Sequence, residues 1–155
     1  MELAEYLGKL YYQLERMPVE KVELCYYGEI AQQETGIITL AFLKGLLSPV
    51  MGDQVNLVNA TWFAENRGIR VCERRDESKR SGHVNLISVI FRGNGTKVEF
   101  AGTLAGDQTP RIVRVNQYRV DVTPSPYMLF VEHIDRPGVI GPLHQLWEKP
   151  ISISR

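Results

Sequence analysis

An excess of charge of either sign is missing from this chain. Lys plus Arg number 18, Asp plus Glu number 18, and the formal net charge is zero. A general nucleic-acid binder carries a basic footprint, so the balance argues against that class of partner. Cysteine is scarce: Cys25 and Cys72 are the only two in 155 residues. Each sits in an apolar, strand-like context that suits a buried reduced thiol, and two isolated cysteines make neither a zinc ribbon nor an iron–sulfur site. The histidines, His83, His133 and His144, share no ligand spacing with each other or with the cysteines, so no metal site is expected. No apolar run approaches the roughly 20 residues that span a bilayer. The N-terminus reads as an amphipathic helix start, not a signal peptide. The expectation is a cytoplasmic protein with no membrane partner. Also missing are an internal repeat, a low-complexity tract, a Gly-x-Gly-x-x-Gly between strand and helix, and any Ser/His/Asp or Cys/His arrangement.

What is present describes an ordinary folded chain. Hydrophobic residues are 44% and charged residues 23%, and the length suits one domain plus at most an appendage. Leu3, Leu7, Leu10 and Leu14, with Tyr6 and Tyr11 beside them, predict a helix over 2–16. Glu5 and Lys9 form an i,i+4 pair on its wet face, and Met17-Pro18 ends it. This start is abrupt, as if the chain were cut from something longer. Residues 19–28 read as a strand, with Val22, Leu24 and Tyr26 on one face and Lys21, Glu23 and Cys25 on the other. Residues 36–47 read as a mostly buried helix that Ser48-Pro49 stops. Asp53 is expected to cap a helix over 54–66, with Val55, Val58 and Trp62 as its buried stripe and Gly68 as the left-handed residue after it. Asn56 and Asn59 are read as capping or as ligand-facing. Residues 69–74 make a short strand. The charged run 73–82 is expected to be a solvated connection.

From residue 83 the chain is strand-rich. Residues 83–92 alternate with both faces fairly apolar, which suits a central strand. Gly93-Asn94-Gly95 signals a hairpin, because Asn-Gly supplies the positive φ of a primed turn. Residues 96–104 return, Gly106-Asp107 turns, and 111–115 and 118–122 form a last hairpin around Asn116-Gln117. Strand alternation puts Arg111 and Arg114 on opposite faces. Arg111 and Arg119 are read either as exposed sheet residues or as a phosphate lining, since guanidinium forks suit phosphate. Thr123-Pro124-Ser125-Pro126 reads as a linker between a main domain, 1–122, and a segment, 127–155. That segment opens with a strand over 127–132 and then a polar turn. Pro137 and Gly138 stand at the turn's helical end, where free N–H groups suit a carboxylate.

The turn His133-Ile134-Asp135-Arg136-Pro137-Gly138 resembles the first strand–turn–helix of an ACT domain, in the form found at the end of D-3-phosphoglycerate dehydrogenases. Upstream, Tyr27-Gly28-Glu29-Ile30-Ala31, Leu43-Lys44-Gly45-Leu46-Leu47, Val58-Asn59-Ala60, Arg67-Gly68-Ile69-Arg70-Val71 and Ala101-Gly102-Thr103-Leu104 occur in that order. This set resembles the allosteric substrate-binding domain of the long-form enzymes. The resemblance implies an α+β fold: an antiparallel sheet packed with helices, followed by a partial βαβ ACT-like unit. It implies a non-catalytic regulatory fragment, truncated relative to the whole enzyme, whose NAD and catalytic groups belong to the parent. It implies a homo-oligomer. It also implies a phosphorylated hydroxy acid or phosphate near Arg111, Arg119 and Arg114, where some members carry a further Arg at the position of Thr123. An amino acid such as L-serine would meet the N–H groups of Gly138, Val139 and Ile140 and polar side chains at His133 and Asp135. Ser152 stands where the family commonly has Asn. Two alternatives remain open: a structural assembly module without ligand, and a domain of an iron–sulfur L-serine dehydratase, for which two cysteines are too few. A strand over 127–134 without its ACT neighbours is expected to pair edge to edge with a second copy.

Overall fold

The first helix, α1 (Glu2–Leu14), buries the stripe its spacing announces: Leu3, Leu7, Leu10 and Tyr11 are inaccessible, with Ala4 and Gly8 between them. The computed structural model describes residues 1–15, 17–133 and 151–154. After α1 come β1 (Lys21–Gly28), a 3₁₀ turn (Glu29–Gln32), α2 (Gly36–Met51), a second 3₁₀ turn (Gly52–Gln54) and α3 (Ala60–Asn66). Then follow β2 (Arg70–Asp76), β3 (Asn85–Gly93), β4 (Thr96–Leu104), β5 (Pro110–Val115) and β6 (Tyr118–Val122). A separate pair is made by β7 (Phe130–His133) and β8 (Ile151–Ser154).

The α+β class holds. The six-stranded sheet runs β2-β1-β3-β4-β5-β6, and it is mixed where the sequence suggested an antiparallel one. β2 lies parallel to β1 while every other pair is antiparallel. The reason is the connection: β1 reaches β2 through α2 and α3, and a parallel pair needs a long crossover of that kind. β3 is central, as its two apolar faces predicted.

The helices pack on one face of the sheet. Val22, Leu24 and Tyr26 point into that core at 0% exposure. Tyr11 of α1 stacks on Phe91 of β3 at 4.2 Å between centroids, and Phe91 meets Phe100 of β4 at 5.5 Å. α1 and α2 cross backbone to backbone. A Cβ on Gly8 would lie 2.5 Å from the Leu46 nitrogen, and one on Gly45 would lie 2.9 Å from Glu5 Cα. The opposite face carries the alternate residues. Strand register lines up one row across all six strands: Arg74, Cys25, Ser88, Ala101, Arg114, Arg119.

Several expectations are corrected. α2 runs through Pro49 to Met51, because its ring forfeits one hydrogen bond near the helix end, where little ladder remains to break. Residues 36–54 are long and apolar enough, by length and composition, to cross a membrane; here α2 packs its buried side on α1. The expected helix over 54–66 begins only at Ala60. Val58 and Trp62 are exposed, and Val55, Ala60 and Ala64 make the buried contact. Gly68 does take the left-handed φ, 72°. Cys72 is exposed, since β2 is an edge strand. Of the charged run, Arg75 and Asp76 prolong β2 beyond the expected end at 74, and they remain exposed. On the same strand, Glu73 accepts hydrogen bonds from the buried Thr35 and Thr39 hydroxyls, that from Thr35 at 2.8 Å. Asn94 and Gly95, with φ of 49° and 75°, form the primed turn the sequence announced.

β7 and β8 pair in parallel, with Phe130 opposite Ile151 and His133 opposite Ser154. The helix expected between them lies outside the described residues. Met128 and Phe130 are half-buried against the main core.

Candidate functional site

A cleft of about 400 Å³ opens on the sheet face opposite the helices. β4 supplies Ala101 and Thr103, β5 supplies Arg111 and Arg114, β6 supplies Arg119 and Asp121, and the β2–β3 loop adds Ser81 and His83. Three arginines converge because β5 is irregular. On β4, Ala101 pairs with Arg114, but the next residue, Gly102, pairs with Ile112. Val113 is therefore an extra residue, and a bulge resets the alternation of side chains. Arg111 and Arg114, which simple alternation puts on opposite faces, come to the same side, Arg111 beside Thr103 and Arg114 beside Ala101. That corrects the sequence reading of Arg114.

The three guanidinium groups are not equivalent. Arg111 is engaged: its Nε lies 2.8 Å from Asp121 Oδ1, its Nη2 donates to Oδ2 at 3.1 Å, and its Nη1 donates to Thr123 Oγ1 at 2.8 Å. Arg114 and Arg119 face each other directly across β5 and β6. Neither has a hydrogen-bond or ion-pair partner among the described residues. Like charges opposite one another on a sheet destabilise it, and an anion between them removes the penalty. The fork geometry of two guanidiniums suits the oxygens of a phosphate better than a point charge would.

Nearby groups sharpen the picture. Thr103 donates its hydroxyl to the Asn85 carbonyl, and Asn85 Oδ1 accepts the Ile30 N–H at 2.7 Å, so the cleft floor is cross-braced. Burial, with Cys25 adding to it, holds the Tyr27 hydroxyl above its usual pKa, which keeps it a neutral acceptor for Arg80. Burial likewise pushes the Cys25 thiol up, which suits a thiol packed in the sheet, 4% exposed.

The remaining predicted residues fall as follows. Asn56 Oδ1 accepts the N–H groups of Val58 and Asn59 at 2.8 and 3.1 Å, and Asn59 Oδ1 accepts the Asn56 N–H at 2.8 Å. Both asparagines serve the turn before α3. His133 and Ser152 lie on β7 and β8, with Ser152 opposite Val131. Asp135, Gly138, Val139 and Ile140 lie outside the described residues. Among the described residues no group of three or more His, Cys, Asp or Glu could hold a metal ion. Sequence reasoning missed Asp121, Ser81 and His83. A signal existed for Asp121, which is two residues from Arg119 and so on its face. Another existed for Ser81-Gly82, a turn dipeptide.

A family model for the D-3-phosphoglycerate dehydrogenase intervening domain matches residues 1–116. Among curated proteins, the chain is 40% identical over 141 residues to D-3-phosphoglycerate dehydrogenase of Methanocaldococcus jannaschii, covering 91% of the chain and 26% of that protein. It is 36% identical over 140 residues to the Bacillus subtilis protein of that name, covering 90% of the chain. The Synechocystis protein of the same name is 37% identical over 151 residues, covering 94%. The chain spans about a quarter, 26%, of the length of each of these relatives.

Proposed function

The chain belongs to the D-3-phosphoglycerate dehydrogenase intervening-domain family, and on that premise we propose that it is a regulatory, non-catalytic region that takes a phosphorylated hydroxy acid, or phosphate itself, in the arginine cleft. The observation that carries this is the Arg114–Arg119 pair, two arginines directly opposite each other in the β5–β6 register that line one cleft, with no ion-pair partner among the described residues. Arg111, held by Asp121 and Thr123, forms the third side. In this reading the NAD chemistry and the catalytic groups belong to a part of such an enzyme that the chain does not span. Regulation is a coupling free energy between this cleft and a remote active site, so the chain by itself displays the binding half of it.

Titration calorimetry tests the reading. Inorganic phosphate and 3-phosphoglycerate should each give saturable heat with the 155-residue chain. Arg114→Ala or Arg119→Ala should weaken both about tenfold, the worth of one charge-assisted hydrogen bond. No heat at millimolar ligand sinks the proposal in favour of an assembly module without ligand. The 127–155 segment is proposed to carry amino-acid sensing, on the strength of its His133–Gly138 motif. L-Serine in the same calorimeter, with light scattering for the homo-oligomer that such sensing implies, checks that part separately.

A further inference from the structure

The β2–β3 loop, residues 77–84, forms one wall of the cleft. It is tied down at several points. Asp76 Oδ1 accepts the Ser78 N–H at 2.9 Å, and Gln32 Nε2 donates to Glu77 Oε2 at 3.2 Å. The chain then reverses in a tight turn: Ser81 and Gly82 both take left-handed φ, 57° and 78°, and the His83 N–H donates to the Arg80 carbonyl at 3.2 Å. The Arg80 guanidinium lies over the Tyr27 ring, Cζ 4.8 Å from its centroid, and donates to the Tyr27 hydroxyl. One residue further along β1, Gly28 (φ 83°) sits so close to the Val84 carbonyl that a Cβ there would overlap it. The end of β1 thus seats the loop at Arg80 and again at Val84. Between these seats, Ser81 and His83 meet the same cleft as Arg111, Arg114 and Arg119.

Resting on the phosphate-cleft reading above, we propose that Arg80 is a positioning residue for that cleft: seated on Tyr27, it holds His83 and Ser81 where they select an anion with a second polar group over inorganic phosphate. A bare phosphate fills a small part of a cleft of about 400 Å³. Bridged between Arg114 and Arg119, it leaves the opposite wall untouched. A phosphorylated hydroxy acid carries a carboxylate and a hydroxyl that reach across to the imidazole and the serine hydroxyl. Arg80 touches no ligand; it acts through the wall residues. Its hold combines a cation–π contact with a hydrogen bond, which a planar guanidinium makes together and an ammonium cannot.

The experiment compares 3-phosphoglycerate with inorganic phosphate by titration calorimetry on the full chain and its variants. The wild type should favour the hydroxy acid. Arg80→Ala and His83→Ala should each lower 3-phosphoglycerate affinity about tenfold and leave phosphate affinity within about twofold. The double variant should lose no more than Arg80→Ala alone, because the His83 contact is already lost once its support is removed. Arg80→Lys should fall between wild type and Arg80→Ala. Tyr27→Leu removes the seat from the other side and should match Arg80→Ala, with melting curves confirming that each variant folds. Unchanged 3-phosphoglycerate affinity in Arg80→Ala or His83→Ala, or losses that add in the double variant, overturns the inference. Equal wild-type affinity for the two ligands overturns it while leaving the arginine cleft standing. A wild type that binds neither ligand overturns the cleft reading, and the inference with it.

Discussion

Removing Asp121 separates a cleft built for anions from one that is already neutralised. The Asp121 carboxylate occupies two of the Arg111 donors, at 2.8 and 3.1 Å, and Thr123 occupies the third nitrogen. In the proposed reading an incoming anion would meet Arg114 and Arg119, which have no ion-pair partner among the described residues, and an Arg111 already engaged. Asp121→Ala deletes the internal competitor. Stability should hardly change, because the two side chains are 35% and 68% exposed. Exposed pairs contribute about 0–1 kcal/mol, so Tm should fall by no more than about 3 °C for a chain of this length. Anion affinity should change more. A hydrogen bond to a charged group is worth about 1.5–3 kcal/mol, and an exposed site takes the lower end, so phosphate should bind roughly tenfold tighter. Calorimetry at low ionic strength reads the effect. The gain should shrink as salt is raised, since the screening length falls to about 8 Å at physiological ionic strength. The reasoning is refuted if phosphate affinity stays the same or falls. Asp121 would then be no competitor, or would itself help to organise the bound state.

Other expectations follow from the packing. Gly45→Ala should destabilise despite the better helix propensity of alanine, which favours it by about 1 kcal/mol. The new methyl would lie 2.9 Å from Glu5 Cα, so the helices must part. Overpacking of that kind costs about 1–3 kcal/mol or more, so the urea midpoint should drop; a raised midpoint contradicts the close crossing. Glu73 gives a pH signature. Burial alone raises its pKa, but hydrogen bonds from Thr39 and Thr35 and the nearby Arg75 outweigh that and hold it below the usual carboxylate range. Its contribution is therefore present above the unfolded pKa of about 4.3 and is lost as pH falls through the lower folded value. Stability measured down through that window should fall less steeply in Thr39→Val than in wild type, and equal slopes would count against the network.

The elements that were legible in the sequence are those whose cause is local. The stripe of α1 is a spacing of apolar residues. The β3–β4 turn is a demand for positive φ that Asn94-Gly95 meets. The helix over 54–66 was misjudged for the same reason: Val58 and Trp62 have helical spacing, but the Asn56–Asn59 turn delays the helix and leaves both side chains exposed. Edge position was equally invisible, so Cys72 was expected to be buried.

The sequence by itself determined the family, through the order of its motifs, and determined that arginines on the last hairpin were the residues to watch. Only the tertiary structure decided which of them meet. Strand alternation is a rule of parity, and a single extra residue reverses it. That residue, Val113, is extra only because of how β5 registers against β4. The pairing of Arg114 with Arg119 across two strands, the engagement of Arg111 by Asp121, and the wall built by a loop seated on Tyr27 all depend on contacts between separate segments of the chain. No periodicity within one segment contains them.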